Sequence, residues 1–252
     1  MSTAVPPMPA ETAQPGLSEP QRIVNAFVAP SKTFEDIRRN QGWWVPFLLG
    51  AIVTTCFFIT IEKKVGWDAI VRDLVASNST FQQSPPEVQQ RQLRAMTASY
   101  KYGTEYGAAV FALIFALLEA AILMVVFNFM MEAAVPFRTA LAIVFYAQLP
   151  FLISGVLGII SLMIGNPENF NFQNPVATNP AYFMDRGSTS KFWYTMASSF
   201  DIFTIWVIIL VGMGFAVNSE RRKVKVSTAI VTVAVLYFIW KLAVAGLAGM
   251  RG

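Results

Sequence analysis

The sequence predicts an all-α polytopic membrane protein: a bundle of five transmembrane helices, with an extracytoplasmic helical hairpin between spans one and two. Three observations carry this. Charged residues make up 13% of the 252 positions and apolar ones 55%, against the ~25% charge of ordinary soluble domains. Mean hydropathy is +0.50, more apolar surface than so few charges could shield from water. Five apolar stretches are long enough to cross ~30 Å of hydrocarbon as helices, and most charges fall between them.

Residues 1–17 are rich in Pro, Ala, Thr and Ser, without Lys or Arg. They read as a disordered tail rather than a secretory signal. Residues 18–43 hold two short cytoplasmic or interfacial amphipathic helices. Ser18, Glu19, Pro20 and Gln21 form a capping box with proline in the first turn. Ile23, Val24, Phe27 and Val28 then make one apolar face, and Pro30 ends the helix. Ser31 caps the second, where Phe34 and Ile37 share a face and Glu35, Asp36, Arg38 and Arg39 are expected in solvent. The pair either lies along the membrane interface or packs as a lead-in against the bundle. Trp43 and Trp44 mark the headgroup level.

The membrane domain covers 44–248, with spans over about 44–61, 106–131, 140–164, 192–217 and 227–248. The fourth starts near Phe192 or Phe200. Between spans one and two, Trp67, Ile70, Val71, Leu74 and Val75 share one helical face. Ser84-Pro85-Pro86-Glu87 opens a second helix running toward Tyr100. These two make the expected hairpin. Asn-Pro at 166–167, 174–175 and 179–180 marks the 165–199 loop as irregular.

Lys and Arg set the orientation. Arg22, Lys32, Arg38 and Arg39 precede span one, and Arg221, Arg222, Lys223 and Lys225 crowd the 218–226 loop. The 165–199 loop holds only Arg186 and Lys191. The N-terminus is therefore expected in the cytoplasm and, with five spans, the C-terminus outside. Six basic residues in the 62–105 loop oppose this, but five acids accompany them. The pI near 9.3 follows from basic loops, and no nucleic-acid partner is expected.

Histidine is absent and Cys56 is the only cysteine. This removes Ser-His-Asp and Cys-His catalysis and any zinc site built on His or Cys. No enzyme activity, cofactor or metal site is expected.

The candidate functional residues are the charges left inside the spans. A charge in hydrocarbon costs at least ~2.5 kcal/mol, so Glu119, Asp201 and Lys241 need partners or water. They form either a proton or ion pathway or interhelical glue. Asp201 and Lys241 lie at similar depth on antiparallel neighbours, which suggests an ion pair. Asn128 and Glu132 lie a turn apart, with Arg138 near enough to neutralise Glu132. In span three, Tyr146, Gln148 and Pro150 mark a kink. Gly155 there, and Gly212 in span four, permit close helix packing.

Taken together, Pro30-Ser31-Lys32-Thr33-Phe34-Glu35-Asp36-Ile37 leading into Trp43-Trp44-Val45-Pro46, the Tyr146–Pro150 stretch, and Ser199-Phe200-Asp201-Ile202-Phe203-Thr204-Ile205-Trp206 through Gly212 resemble the YIP family in its bacterial branch. Its eukaryotic members are Ypt/Rab-GTPase-interacting membrane proteins. The resemblance spans residues 20–245 and rests on order and spacing rather than on one motif. It implies a cytoplasmic N-terminal segment, five clustered spans, and residence in a bacterial inner membrane. The eukaryotic Asp-Leu-Tyr-Gly-Pro motif is absent, so Rab-type GTPase binding does not transfer. The expected role is a non-catalytic scaffold or organiser whose partners are membrane lipids and other membrane proteins, or a homo-oligomer. The alternative is a small transporter or channel using Glu119, Asp201 and Lys241.

Overall fold

The structure is a computed structural model and describes residues 16–76, 78–167, 170–185 and 187–250. Most of the tail expected over 1–17 lies outside the described residues. All regular structure among the described residues is helical.

Helix α1 (Glu19–Val28) opens as its capping box dictates: the Ser18 N–H donates to Gln21 Oε1 at 2.9 Å. Helix α2 (Pro30–Ile37) follows after a single residue, Ala29. Pro30 therefore begins the second helix instead of merely ending the first. Its missing N–H costs nothing in a first turn, and Ser31 is not the cap.

Helix α3 (Trp44–Lys64) is 21 residues long, about 31 Å. Helix α4 (Trp67–Ala76), the single turn α5 (Ser79–Gln82) and helix α6 (Pro86–Tyr102) come next. Helix α6 does not stop near Tyr100. It runs through a π-helical turn at Gly103–Gly107 into α7 (Ala108–Met131), giving one rod from Pro86 to Met131. The wide turn absorbs two glycines without breaking the ladder. Glu132 and Ala134 then take left-handed backbone angles, with φ 54 and 57, and end the rod. Asn128 clamps this turn, donating to the Val135 carbonyl at 2.9 Å and accepting its N–H at 2.8 Å.

Helix α8 (Phe137–Ala147) and helix α9 (Pro150–Ile164) follow one another across Gln148 and Leu149. A 3₁₀ turn (Pro180–Phe183) follows α9. The expected fourth span is two helices, α10 (Lys191–Ser198) and α11 (Ile202–Val217), meeting at 55°. The break has a local cause. Asp201 leaves the helical region and its Oδ1 accepts the N–H groups of Phe203 at 2.9 Å and Thr204 at 3.1 Å, starting a new helix. Helix α12 (Val226–Met250) closes the chain. Four helical segments are long and apolar enough to cross a membrane, or five if the bent α10–α11 pair counts as one.

Helix α8 is the centre. Every residue from Thr139 to Ala147 is buried, enclosed by α1, α2, α3, α7 and α11. Phe127 of α7 and Phe215 of α11 stack at 4.4 Å beside it. The outer helices show the reverse: Phe115, Ile122 and Phe129 of α7, and Val231 and Ile239 of α12, are more than half exposed. Apolar side chains facing outward at that density need hydrocarbon around them. At one end of the bundle, Ile61, Trp67, Ile70 and Leu162 form a second core with Tyr100, Phe170 and Phe172. At the other end lie the 132–136 turn, the 218–225 loop and the α1–α2 pair.

Candidate functional site

The densest polar constellation is not among Glu119, Asp201 and Lys241. It lies where α1 and α2 meet α8. Arg22 is fully buried. Its Nε donates to Asp36 Oδ2 at 2.6 Å. Its Nη1 donates to Glu19 Oε1 and to the Tyr146 hydroxyl, each at 3.3 Å. Its Nη2 donates to the Asn40 carbonyl. The Tyr146 hydroxyl donates in turn to Glu19 Oε2 at 2.5 Å, and the guanidinium carbon lies 5.4 Å from the tyrosine ring centre. A forked, always charged guanidinium suits such a site, because one planar group serves four acceptors in fixed directions. Burial disfavours its charge, but the hydrogen bond with Asp36 and the neighbouring Tyr146 outweigh that and hold its pKa above the ordinary value.

The surroundings fix each member. The Thr33 hydroxyl donates to the Arg22 carbonyl at 2.8 Å, and the Leu17 N–H donates to Asp36 Oδ1 at 3.1 Å. Asn218 Nδ2, just past α11, donates to the Phe34 carbonyl at 2.9 Å. Phe27 meets Trp206 edge-on at 5.8 Å. Trp206 is eleven residues from the end of α11, or about 16 Å along it. The helical pair is therefore a wedge seated alongside the bundle. Asp36, expected in solvent, is 8% exposed. The expected apolar face of α1 is turned partly outward, with Val24 58% and Val28 74% exposed, while Arg22 and Ala26 face in.

The residues singled out by sequence are distributed over separate places. Glu119 Oε2 accepts from Gln148 Nε2 at 2.9 Å, joining α7 to the break between α8 and α9. A groove of about 250 Å³ opens beside Gln148, with walls from Phe47, Gly50, Thr54, Ala112 and Gly155. Asp201 caps α11 and accepts from the Thr178 hydroxyl. It does not form the expected ion pair with Lys241, whose Nζ instead stands 5.6 Å from the Tyr237 ring centre. The Tyr237 hydroxyl donates to the Ser199 carbonyl at 3.1 Å. One carboxylate oxygen of Asp201 takes backbone N–H groups and the other the Thr178 hydroxyl, and Lys241 is not within ion-pair distance of either. Glu132 is likewise unpaired with Arg138 among the described residues, since Asn128 organises that turn. Pro150 is the first residue of α9, and Gly155 faces Val53 so closely that a methyl would lie 2.7 Å from its Cγ1. Among the described residues no three Asp, Glu or Cys side chains gather as a metal ion would require.

Two smaller effects follow. Tyr146→Phe keeps the ring but removes the hydroxyl that links Glu19 to Arg22; it should lower stability by about 1.5 kcal/mol, read as a reduced thermal midpoint in detergent. Asp201→Ala removes a helix cap and should cost about 1 kcal/mol, with Asp201→Asn nearly neutral because asparagine caps as well. If Asp201→Asn were as damaging as alanine, the carboxylate charge and not the cap would be what matters.

In the sequence Tyr146 reads as part of a helix kink, Arg22 as a loop charge and Asp36 as a residue in water; the structure brings the three together. The one available signal was an Arg three residues after Glu19 and beside the apolar Ile23-Val24 pair, fourteen residues before an Asp in a second short helix.

Residues 24–244 match a family model described as Yip1 domain. No curated protein and no solved structure matches the chain.

Proposed function

The chain belongs to the Yip1 domain family of membrane proteins, and from that premise we propose that it is a non-catalytic scaffold or organiser in the membrane, working through protein and lipid contacts. In this reading α3, α6–α7, α8–α9, α10–α11 and α12 supply five spans, with α10–α11 as one bent span. The 18–43 segment and the 218–225 loop face the cytoplasm, the α4–α6 hairpin and the C-terminus lie outside, and the membrane is a bacterial inner membrane.

The observation that carries the reading is the use made of the polar groups. Glu119 is spent on Gln148, Asp201 on a helix end, and Arg22 on tying the N-terminal pair to α8. Glu119 and Asp201 each hold structure in a different place, whereas a transport path would need them in one line. The groove at Gln148 is walled chiefly by apolar side chains.

The test is affinity capture from native membranes after mild cross-linking, alongside flux assays in liposomes. Stable membrane-protein partners, including a second copy of the chain, are expected, with recovery unchanged in Glu119→Gln. Ion or solute flux that vanishes in Glu119→Gln would replace this reading with a transporter.

A further inference from the structure

The end of the bundle that carries the α1–α2 wedge also carries an unneutralised basic face, and we propose that this face binds the headgroups of acidic phospholipids. The inference deepens the scaffold reading by naming a lipid class; it stands or falls separately, because protein partners could be captured without any lipid preference.

Arg221, Arg222, Lys223 and Lys225 are all exposed. Among the described residues none of the four enters an ion pair or a side-chain hydrogen bond. Glu220 in the same loop and Glu132 in the adjoining turn are also exposed and do not neutralise them. The opposite end behaves differently: Lys101 is paired with Glu62 at 2.9 Å, and the 62–105 segment mixes both signs almost evenly.

The basic loop is held in place rather than trailing. The Glu220 N–H donates to the Ala133 carbonyl at 2.9 Å, tying the loop to the turn after α7. Asn218 ties its start to α2 through the Phe34 carbonyl. The Arg38 guanidinium, also exposed, donates to the carbonyl of Val217, the last residue of α11. That bond adds a fifth positive charge to the same corner, at a helix end that favours cations.

What borders the patch selects the partner. Lys225 is followed by Val226, which is 42% exposed, and Val231 five residues on is 60% exposed. On the neighbouring rod, Phe129 and Met130 are 88% and 71% exposed just before the turn that contacts the loop. The cations thus stand at the rim of an outward apolar surface. The anions within a Lys or Arg side chain's reach of such a rim are lipid phosphates, and long basic side chains place their heads at that level. Charges left unpaired by the protein distinguish an anionic headgroup from a zwitterionic one.

The experiment reconstitutes the full chain into bilayers of phosphatidylcholine mixed with phosphatidylglycerol and measures which lipid is enriched in the shell retained by the protein. Wild type is expected to enrich phosphatidylglycerol. Each of Arg221→Gln, Arg222→Gln, Lys223→Gln and Lys225→Gln should reduce that enrichment by about fivefold, equivalent to about 1 kcal/mol per basic residue. The charge-preserving pair Arg221→Lys and Arg222→Lys should retain it. High salt should weaken it. Lys63→Gln with Lys64→Gln, at the other end, should leave it unchanged. No enrichment in wild type, equal enrichment in the fourfold Gln variant, or equal loss in the Lys63/Lys64 variant would each overturn the proposal. So would binding of a soluble acidic protein or nucleic acid to this face without any lipid preference.

Discussion

Arg22→Ala is expected to destabilise the protein by about 3–5 kcal/mol, the largest effect of any single change considered. The substitution removes the common donor to Asp36, Glu19, Tyr146 and Asn40. Asp36, 8% exposed, is left with a single backbone N–H from Leu17. An uncompensated buried carboxylate is far costlier than an absent ion pair. Arg22→Lys should recover only part of the loss, since an ammonium cannot reproduce a planar fork with donors in several directions. The apolar double variant Arg22→Met with Asp36→Leu should recover most of it, because neither charge then remains to be solvated. The damage should also be local. The wedge is joined to the rest mainly through α2 with α11 and through this cluster, so it should open before the spans do. Thermal unfolding in detergent and the rate of proteolysis within residues 28–43 measure both effects. A wild-type midpoint together with a wild-type proteolysis rate for Arg22→Ala would contradict the network as described.

Gly212→Val is the second, with an expected cost of about 3 kcal/mol. A Cβ at Gly212 would lie 2.6 Å from the Cα and 2.7 Å from the N of Ile230. These are backbone atoms of α12, so no side-chain rotation relieves the clash and the two helices must separate. In hydrocarbon that separation is not resisted by a hydrophobic effect; it forfeits the van der Waals contact that small residues permit between spans. Gly246→Ala is the control. It lies in α12 with no heavy atom within 4 Å of its would-be Cβ, so alanine's better helix propensity should leave it neutral or raise stability by up to about 1 kcal/mol. If both variants behaved alike, close packing at Gly212 would not be the cause.

Much of the fold was legible because the determining signals are local. Long apolar runs gave α3, α7 and α12, and Ser18 and Pro20 gave the start of α1. Other elements depended on choices that local signals leave open. The Pro86–Met131 rod is continuous because a π-helical turn accommodates Gly103 and Gly107, residues that read equally well as a stop. The fourth span is bent because Asp201 turns its carboxylate to the N–H groups of the next turn. As an intramembrane charge it had been assigned to Lys241. Glu119 and Gln148 are separate signals in the sequence; only the packing of α7 against the α8–α9 break puts the two together.

The sequence by itself determined that the solvent is lipid and that the chain is helical, since composition and run length settle both without reference to any distant contact. The direction each amphipathic helix faces was decided only by the tertiary structure. In water, an apolar face identifies the inside. Beside hydrocarbon, apolar side chains lose nothing by facing outward, and it is the charged and hydrogen-bonding groups that must find partners within the protein. In helix α1 it is the charge that faces in: Val24 and Val28 point out, and Arg22 points toward acceptors that α1, α2, α8 and the Asn40 backbone bring to one point.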